Sequence, residues 1–346
     1  MTVCKDMGGA NVVAPIAQVL SNQGHEVFPV LEGMGAYLWS QLCSVPPIFR
    51  GTDDYRIVPF SLDVGAVLGY YRPDVVVVGV GSPSHLEGEF ARAAQIHHIP
   101  LVLMEDFWGG FRRITGLRRP PDLALTLDEY SSSLVRQDFG RKTKICITGN
   151  PGVRVGVEPD PEVYWMRYGG ELVIAFCGGG SETAEQIDLL SQCLAVTSKP
   201  WKLIPRWHPK EADRPDKKNG NQPYRETWNA LLAPLGDRVV RVDGPPTDNI
   251  VVASDLVLAG FSTLLTTAAK AGVPVAALVT PAVQKSLQEE SGLLEVPQVV
   301  LGVADLVVTP VNLALLNPCS SEARDQLMPF DPAVGASAIC DLVEGR

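Results

Sequence analysis

The sequence predicts an α/β protein of two successive domains, each a parallel, doubly wound sheet flanked by helices. Three observations predict it. The chain has 346 residues, about twice the length of a typical single domain. Short β-branched runs alternate with helix-length amphipathic segments from the first residue onward, the pattern of βαβ units around parallel strands. That alternation starts afresh after Thr148-Gly149-Asn150-Pro151-Gly152, a turn-forming segment that reads as a boundary. The domains expected are therefore 1–152 and 153–330, with a C-terminal helical segment at 331–346.

In the first domain, strands are expected near Thr2–Cys4, Glu26–Val30, Ile57–Phe60, Val75–Val80, Leu101–Glu105, Ala124–Leu127 and Lys144–Thr148. Val75–Val80 is continuously apolar, as a central parallel strand buried on both faces should be. Helices fall between them at about Asn11–Asn22, Leu62–Tyr70, His85–His97 and Glu129–Phe139. In the second domain, strands are expected near Leu172–Cys177, Lys202–Pro205, Val239–Val242, Leu256–Ala259, Pro274–Leu278 and Gln298–Leu301. Helices would span Thr183–Ala195, Tyr224–Leu235, Ser262–Ala271 and Pro332–Val343. Pro209–Gly220 is rich in opposite charges and lacks apolar periodicity, so it reads as an exposed loop.

Composition removes several classes. Hydrophobic residues are 46% and charged residues 20%, enough apolar surface to exclude long disorder. The net charge of −10 disfavours nucleic acid and anionic lipid as partners. Arg112, Arg113, Arg118 and Arg119 form the one basic cluster, read either as a solvated face or as an anion clamp. No apolar run is long enough for a transmembrane helix and no signal peptide is apparent. Seven scattered cysteines in apolar runs fit reduced thiols, hence a cytoplasmic setting. No zinc-ligand spacing occurs, so no metal and no cofactor are expected. Nothing in the sequence excludes a homo-oligomer.

In open α/β sheets ligands bind outside the carboxyl ends of the strands, so the residues that follow each strand carry the functional reading. After the first strand, Lys5-Asp6-Met7-Gly8-Gly9-Ala10-Asn11 is either a tight βα turn or a place where Gly8, Gly9 and Asn11 approach a ligand. It is neither a dinucleotide fingerprint nor a P-loop. After the fourth strand, Ser84 suits an N-cap, and His85 reads as a capping or a substrate-touching residue. After the fifth, Glu105 and Asp106 precede Phe107-Trp108-Gly109-Gly110-Phe111-Arg112. One carboxyl against Trp108 would have a raised pKa suited to acid/base work, unless the pair only caps a helix and bonds Arg112 or Arg113.

In the second domain Gly178-Gly179-Gly180-Ser181 joins a strand to a helix, a run best explained by close approach of a phosphate or of another backbone. Arg206 and His208 end the next strand, as phosphate donors or as parts of a turn anchored by Trp207. Gly260-Phe261-Ser262-Thr263 ends another strand, and its hydroxyls at a helix N-terminus suit a diphosphate.

Gly8-Gly9, Thr148-Gly149-Asn150-Pro151, Gly178–Gly180 and Ala259-Gly260-Phe261-Ser262-Thr263 through Ala271-Gly272-Val273-Pro274 together resemble the GT-B superfamily: nucleotide-sugar glycosyltransferases and the related UDP-sugar 2-epimerases. The resemblance covers nearly the whole layout. It implies two Rossmann-like domains facing a cleft, an N-terminal acceptor domain and a C-terminal donor-binding domain. A C-terminal helix crossing back to the first domain would be Pro332–Val343. It implies a nucleotide-diphosphate sugar as donor, a small molecule or glycan as acceptor, and metal-independent transfer. The donor diphosphate would lie at Gly179, Gly180, Ser181, Arg206, Ser262 and Thr263, with His208 and Gly260 beside it. The acceptor would lie near Gly8, Gly9, Asn11 and His85, with Glu105 or Asp106 as base. The chain departs from the family pattern where Thr266 and Thr267 replace a ribose-binding glutamate, and where Gly81-Ser82 replaces an epimerase aspartate. Glycosyl transfer is accordingly the expected activity; a 2-epimerase and a catalytically silent binding protein are the alternatives.

Overall fold

The computed structural model describes residues 1–50, 63–81, 85–208, 212–213, 215–216 and 220–345. The expected strand Ile57–Phe60, Leu62 at the start of the helix expected there, and Ser82 and Ser84 lie outside them, as do parts of Pro209–Gly220. The chain forms two compact units. The first comprises Met1–Pro151, Glu290–Gly292 and Met328–Arg346, and the second Gly152–Glu289 with Leu293–Leu327.

In the first unit the elements run β1 (Thr2–Cys4), α1 (Met7–Asn22), β2 (Pro29–Leu31), α2 (Gly33–Leu42), β3 (Phe49–Arg50), α3 (Val64–Tyr71), β4 (Val76–Gly79), α4 (His85–Ile96), β5 (Leu101–Met104), β6 (Leu123–Thr126), α5 (Glu129–Phe139) and β7 (Lys144–Ile147). The second unit carries α6 (Pro161–Met166), β8 (Leu172–Gly178), α7 (Thr183–Val196), β9 (Trp201–Trp207), β10 (Pro215–Asp216), β11 (Gln222–Pro223), α8 (Tyr224–Leu232), α9 (Thr247–Ala253), β12 (Leu256–Ala259), α10 (Leu264–Lys270) and β13 (Val275–Leu278). It continues through α11 (Pro281–Ser291), whose end passes into the first unit, α12 (Gln298–Leu301), β14 (Asp305–Val307) and α13 (Ser321–Asp325). The chain ends in α14 (Pro332–Val343), which packs on α1 and β7 within the first unit.

Among the described residues the first sheet has seven strands in the order β3-β2-β1-β4-β5-β6-β7, and every pairing is parallel. The second has five, β14-β13-β12-β8-β9, also parallel throughout. In both, the chain moves outward from the first strand in one direction and later returns to its other side. The strand order therefore reverses between β1 and β4 in the first unit and between β8 and β12 in the second. These reversal points are where an open α/β sheet leaves a crevice for ligands.

Burial explains the strand chemistry. Val76, Val77 and Val78 in β4 and Leu101 to Met104 in β5 are at most 1% exposed, as strands covered by helices on both faces must be. One core layer packs α1 and α14 onto β1, β5 and β6 through Val13, Ile16, Met104 and Ile339. The opposite layer packs α4 around Phe90. In the second unit Phe176, Leu190, Trp228 and Leu258 form the corresponding core.

Several expectations shift. The first helix begins at Met7 and not at Asn11, because Asp6 Oδ1 accepts the Gly9 N–H at 2.9 Å and caps it; Gly8 and Gly9 are helical, not loop, residues. Gln298–Leu301 is a helical turn entered from Pro297, and the strand beside β13 is Asp305–Val307. Val239–Val242 forms no strand; Val239 makes an isolated bridge to Leu203. Helices α2, α6, α9, α11 and α13 had no expected counterpart.

Candidate functional site

At the carboxyl end of the first sheet, the glycines of α1 serve packing. A Cβ on Gly8 would occupy the position of the Asp106 carboxylate. Gly9 and Gly79 bring α1 against the end of β4, where a Cβ on Gly79 would lie 3.0 Å from Gly9 Cα. Each interior helix glycine costs about 1 kcal/mol against alanine, a cost set here by close approach. Asp6 and Asp106, both half-buried, thus meet the first turn of α1. His85, at the start of α4, is exposed, and Asn11 is half-buried.

The adjacent carboxylates diverge in role. Glu105 is 1% exposed: its Oε1 accepts the Gly110 N–H at 3.1 Å, and its Oε2 accepts from the Ser131 hydroxyl. Burial first, then Asp128 and Asp106, push this carboxyl well above the usual range. Asp128 accepts the Trp108 indole N–H at 2.7 Å and the Ser131 N–H at 2.8 Å, and caps α5. Trp108, expected to shield a catalytic carboxyl, instead tethers Asp128. With both Glu105 oxygens committed inside the protein, Asp106 is the carboxylate of the pair that is partly open to solvent.

Two residues beside the β1–β4 reversal went unassigned in the sequence reading. Asp6 was legible as an N-cap. Glu87 follows His85 in the first turn of α4, is fully buried, and accepts the Lys5 N–H at 2.8 Å. Its pKa is raised to about 8, chiefly by burial and then by Asp6.

In the second unit the two glycine-bearing loops follow β8 and β12, so both flank the reversal of strand order. Gly178 is forced by packing, since a Cβ would lie 2.6 Å from Thr183 Cγ2 and 2.9 Å from the Trp207 ring. Gly179 and Ser181 are exposed, and the Gly180 N–H donates to Thr183 Oγ1 at 3.2 Å. Glu182, absent from the expected site, folds back over this turn: a Cβ on Gly180 would lie 2.7 Å from its Oε2. Gln186, one turn later, sits under Gly260 and leaves its Oε1 buried without a partner among the described residues. Ser262 Oγ accepts the Leu264 N–H at 3.2 Å, and Thr263 precedes α10.

Arg206 differs from expectation. Its guanidinium donates to Thr247 Oγ1 at 3.3 Å and to the Val242 and Pro245 carbonyls at 2.8 and 3.0 Å. Three of its N–H groups are spent holding the 242–247 segment to β9, so it is an anchor and not a free anion clamp. The His208 backbone N–H closes on Gly178 O at 2.9 Å, leaving the residue exposed at the end of β9. Thr266 and Thr267 donate to the Gly152 carbonyl, which fastens α10 to the start of the unit. The basic cluster disperses: Arg112 pairs with Asp138 at 2.7 Å and Arg119 with Asp122 at 2.7 Å. None of the seven cysteines is in a disulfide, and burial pushes Cys177 up to about 12.

No family model and no curated protein matches the sequence. Solved structures do. UDP-GlcNAc 2-epimerase from Neisseria meningitidis, bound to UDP-GlcNAc, matches with TM-score 0.60 at 13% identity over 100% of this chain and 99% of that one. Alr3699/HepE from Anabaena, in complex with UDP and glucose, gives 0.61 at 16% over 100% and 99%. The calicheamicin glycosyltransferase CalG4 gives 0.57 at 14% over 99% and 98%. The chain has the GT-B-type fold common to nucleotide-sugar transferases and 2-epimerases. Among the described residues no helix is long and apolar enough to cross a membrane.

Proposed function

We propose that the chain is a glycosyltransferase that moves a sugar from a nucleoside-diphosphate donor to a hydroxyl-bearing acceptor. The second unit holds the donor diphosphate at Gly179, Gly180, Ser181, Gly260, Ser262 and Thr263, and the first holds the acceptor beside Asp6, Gly8, Asn11, His85 and Asp106. The observation that carries this reading is that both glycine and hydroxyl loops of the second unit flank its strand-order reversal. The GT-B-type fold supports it, and neighbours with that fold bind UDP or UDP-GlcNAc.

In the reaction, Asp106 accepts the acceptor hydroxyl proton as its oxygen forms a bond to the anomeric carbon. The bond from that carbon to the β-phosphate oxygen breaks, and the diphosphate leaves with the electron pair. Amides and hydroxyls preset around the diphosphate stabilise the charge that develops there. No metal enters this scheme.

The 2-epimerase alternative rests on the full-length likeness to the meningococcal enzyme and on the adjacency of Glu105 and Asp106. Against it, an epimerase needs an acid and a base at the sugar, and both Glu105 oxygens are engaged with Gly110 and Ser131. Incubation with UDP-sugars in deuterated water separates the two. Transfer predicts nucleoside diphosphate release without deuterium at the sugar C2; deuterium at C2 with the diphosphate intact overturns the transferase reading.

A further inference from the structure

The first unit holds a second concavity, at the amino ends of its strands and so at the opposite end of the sheet from the turns described above. Its volume is about 210 Å³. Side chains alternate along a strand, so Thr2 lies on the same face of β1 as Cys4. That face is the one α1 and α14 cover, where Cys4, Leu20, Val77 and Ile339 share a core layer. Thr2, Leu20, Val77 and Ile339 also line the cavity, which is an opening in that layer beside the ends of the two helices. Phe28 and Tyr71 add an aromatic wall, their rings 4.9 Å apart and tilted by 47°. At the mouth, His25 Nε2 and Cys340 Sγ lie 3.4 Å apart.

Thr2 is 3% exposed, and its Oγ1 is buried with no hydrogen-bond partner among the described residues. Its neighbours in the sheet cannot relieve it, because Pro29 and Val77, directly opposite on the two flanking strands, carry no polar side-chain atom. A buried hydroxyl left so is costly, and it marks a place where a partner is missing. The size of that partner is bounded. An apolar cavity of about 150 Å³ holds benzene, so this one has room for a single ring with small substituents. Its charge is bounded too, since the lining mixes Arg72 with Glu26, Asp74 and Glu344 and favours neither sign.

We propose that the first unit binds a neutral monocyclic phenol in this cavity, with its ring against Leu20, Val77, Ile339 and Tyr71 and its hydroxyl bonded to Thr2 Oγ1. A phenol O–H both donates and accepts, as the threonine hydroxyl does, so one contact satisfies Thr2 whichever group donates. A flat ring also meets the Phe28–Tyr71 pair in the tilted packing that aromatic groups prefer, which an aliphatic alcohol of the same volume cannot do. The site does not rest on the transferase reading.

The test is calorimetric titration of the full chain with p-cresol and with toluene, which shares the ring and methyl group but lacks the hydroxyl. We expect p-cresol to bind saturably and about three- to tenfold tighter than toluene, the worth of one buried hydrogen bond. Thr2→Val should remove that preference while keeping toluene binding, and Thr2→Ser should retain it. Saturating p-cresol should also slow alkylation of Cys340 by iodoacetamide, read by peptide mass spectrometry, while Cys319 in the second unit reacts as before. Binding of neither ligand, equal affinity for the two, a preference that survives Thr2→Val, or unchanged Cys340 alkylation overturns the proposal. Should Thr2→Val fail to fold, the preference of the natural chain and the protection of Cys340 decide the matter between them.

Discussion

The two units carry the same device with opposite chemistry. Each parallel sheet reverses its strand order beside its first strand, and each places turns from two strands at that reversal. In the first unit Asp6 and Glu87 meet there, Asp106 lies against Gly8, and Lys5 is committed to Glu32. In the second, the turns offer exposed Gly179 and Ser181, the hydroxyls of Ser262 and Thr263, and one carboxylate, Glu182. In the proposed function, topology sets where a ligand binds and a handful of side chains decides its charge: a diphosphate in the second unit, a hydroxyl-bearing acceptor in the first.

Substitutions can break or sharpen that contrast. The largest effect is expected at Asp106. Asp106→Asn should lower transfer by about a hundredfold to ten-thousandfold, the usual worth of a positioned base, with little change in Tm. A loss of stability matching the loss of rate would make the residue a packing element instead. In the second unit, Gly178→Ala should destabilise by about 1–3 kcal/mol, because its Cβ would overlap Thr183 and the Trp207 ring. Denaturant unfolding measures this directly.

A pH prediction follows for the first unit. A carboxyl with a raised pKa favours the protonated folded state, so Glu87 adds stability below its unfolded pKa, near 4.5, and that contribution fades as pH rises to about 8. The difference in stability between Glu87→Gln and the natural chain should therefore rise with pH across that window, by at most about 1.4 kcal/mol per unit. A pH-independent difference would remove Glu87 from the titrating groups. The smallest effect is expected at Glu182. Removing its charge in Glu182→Gln should tighten UDP binding by a few-fold, the worth of about 0.3–1 kcal/mol at a helix N-terminus. Weaker binding would show that Glu182 holds the nucleotide instead of repelling its phosphates.

Much of the architecture was legible in the sequence, because short, β-branched apolar runs such as Val75–Val80 read as buried parallel strands by their length and composition. Helix starts were less legible. Gly8 and Gly9 look like loop residues until Asp106 and Gly79 are seen beside them, and that approach comes from strands far along the chain. Gln298–Leu301 has strand-forming residues, yet it forms a helical turn entered from Pro297, and Asp305–Val307 takes the place beside β13. At the site, candidate positions could be found as the residues following each strand, yet their commitments could not. Arg206 is spent on three partners from 242–247, and Glu105 on Gly110 and Ser131. Glu87 gave no motif at all; only its burial beside Asp6 marks it.

Hydrogen–deuterium exchange of the full chain with and without UDP tests the division of labour most directly. The account predicts that UDP slows exchange in 178–186 and 260–267 and leaves 5–11 and 85–90 unchanged. Protection of the first-unit segments with none in the second would contradict it.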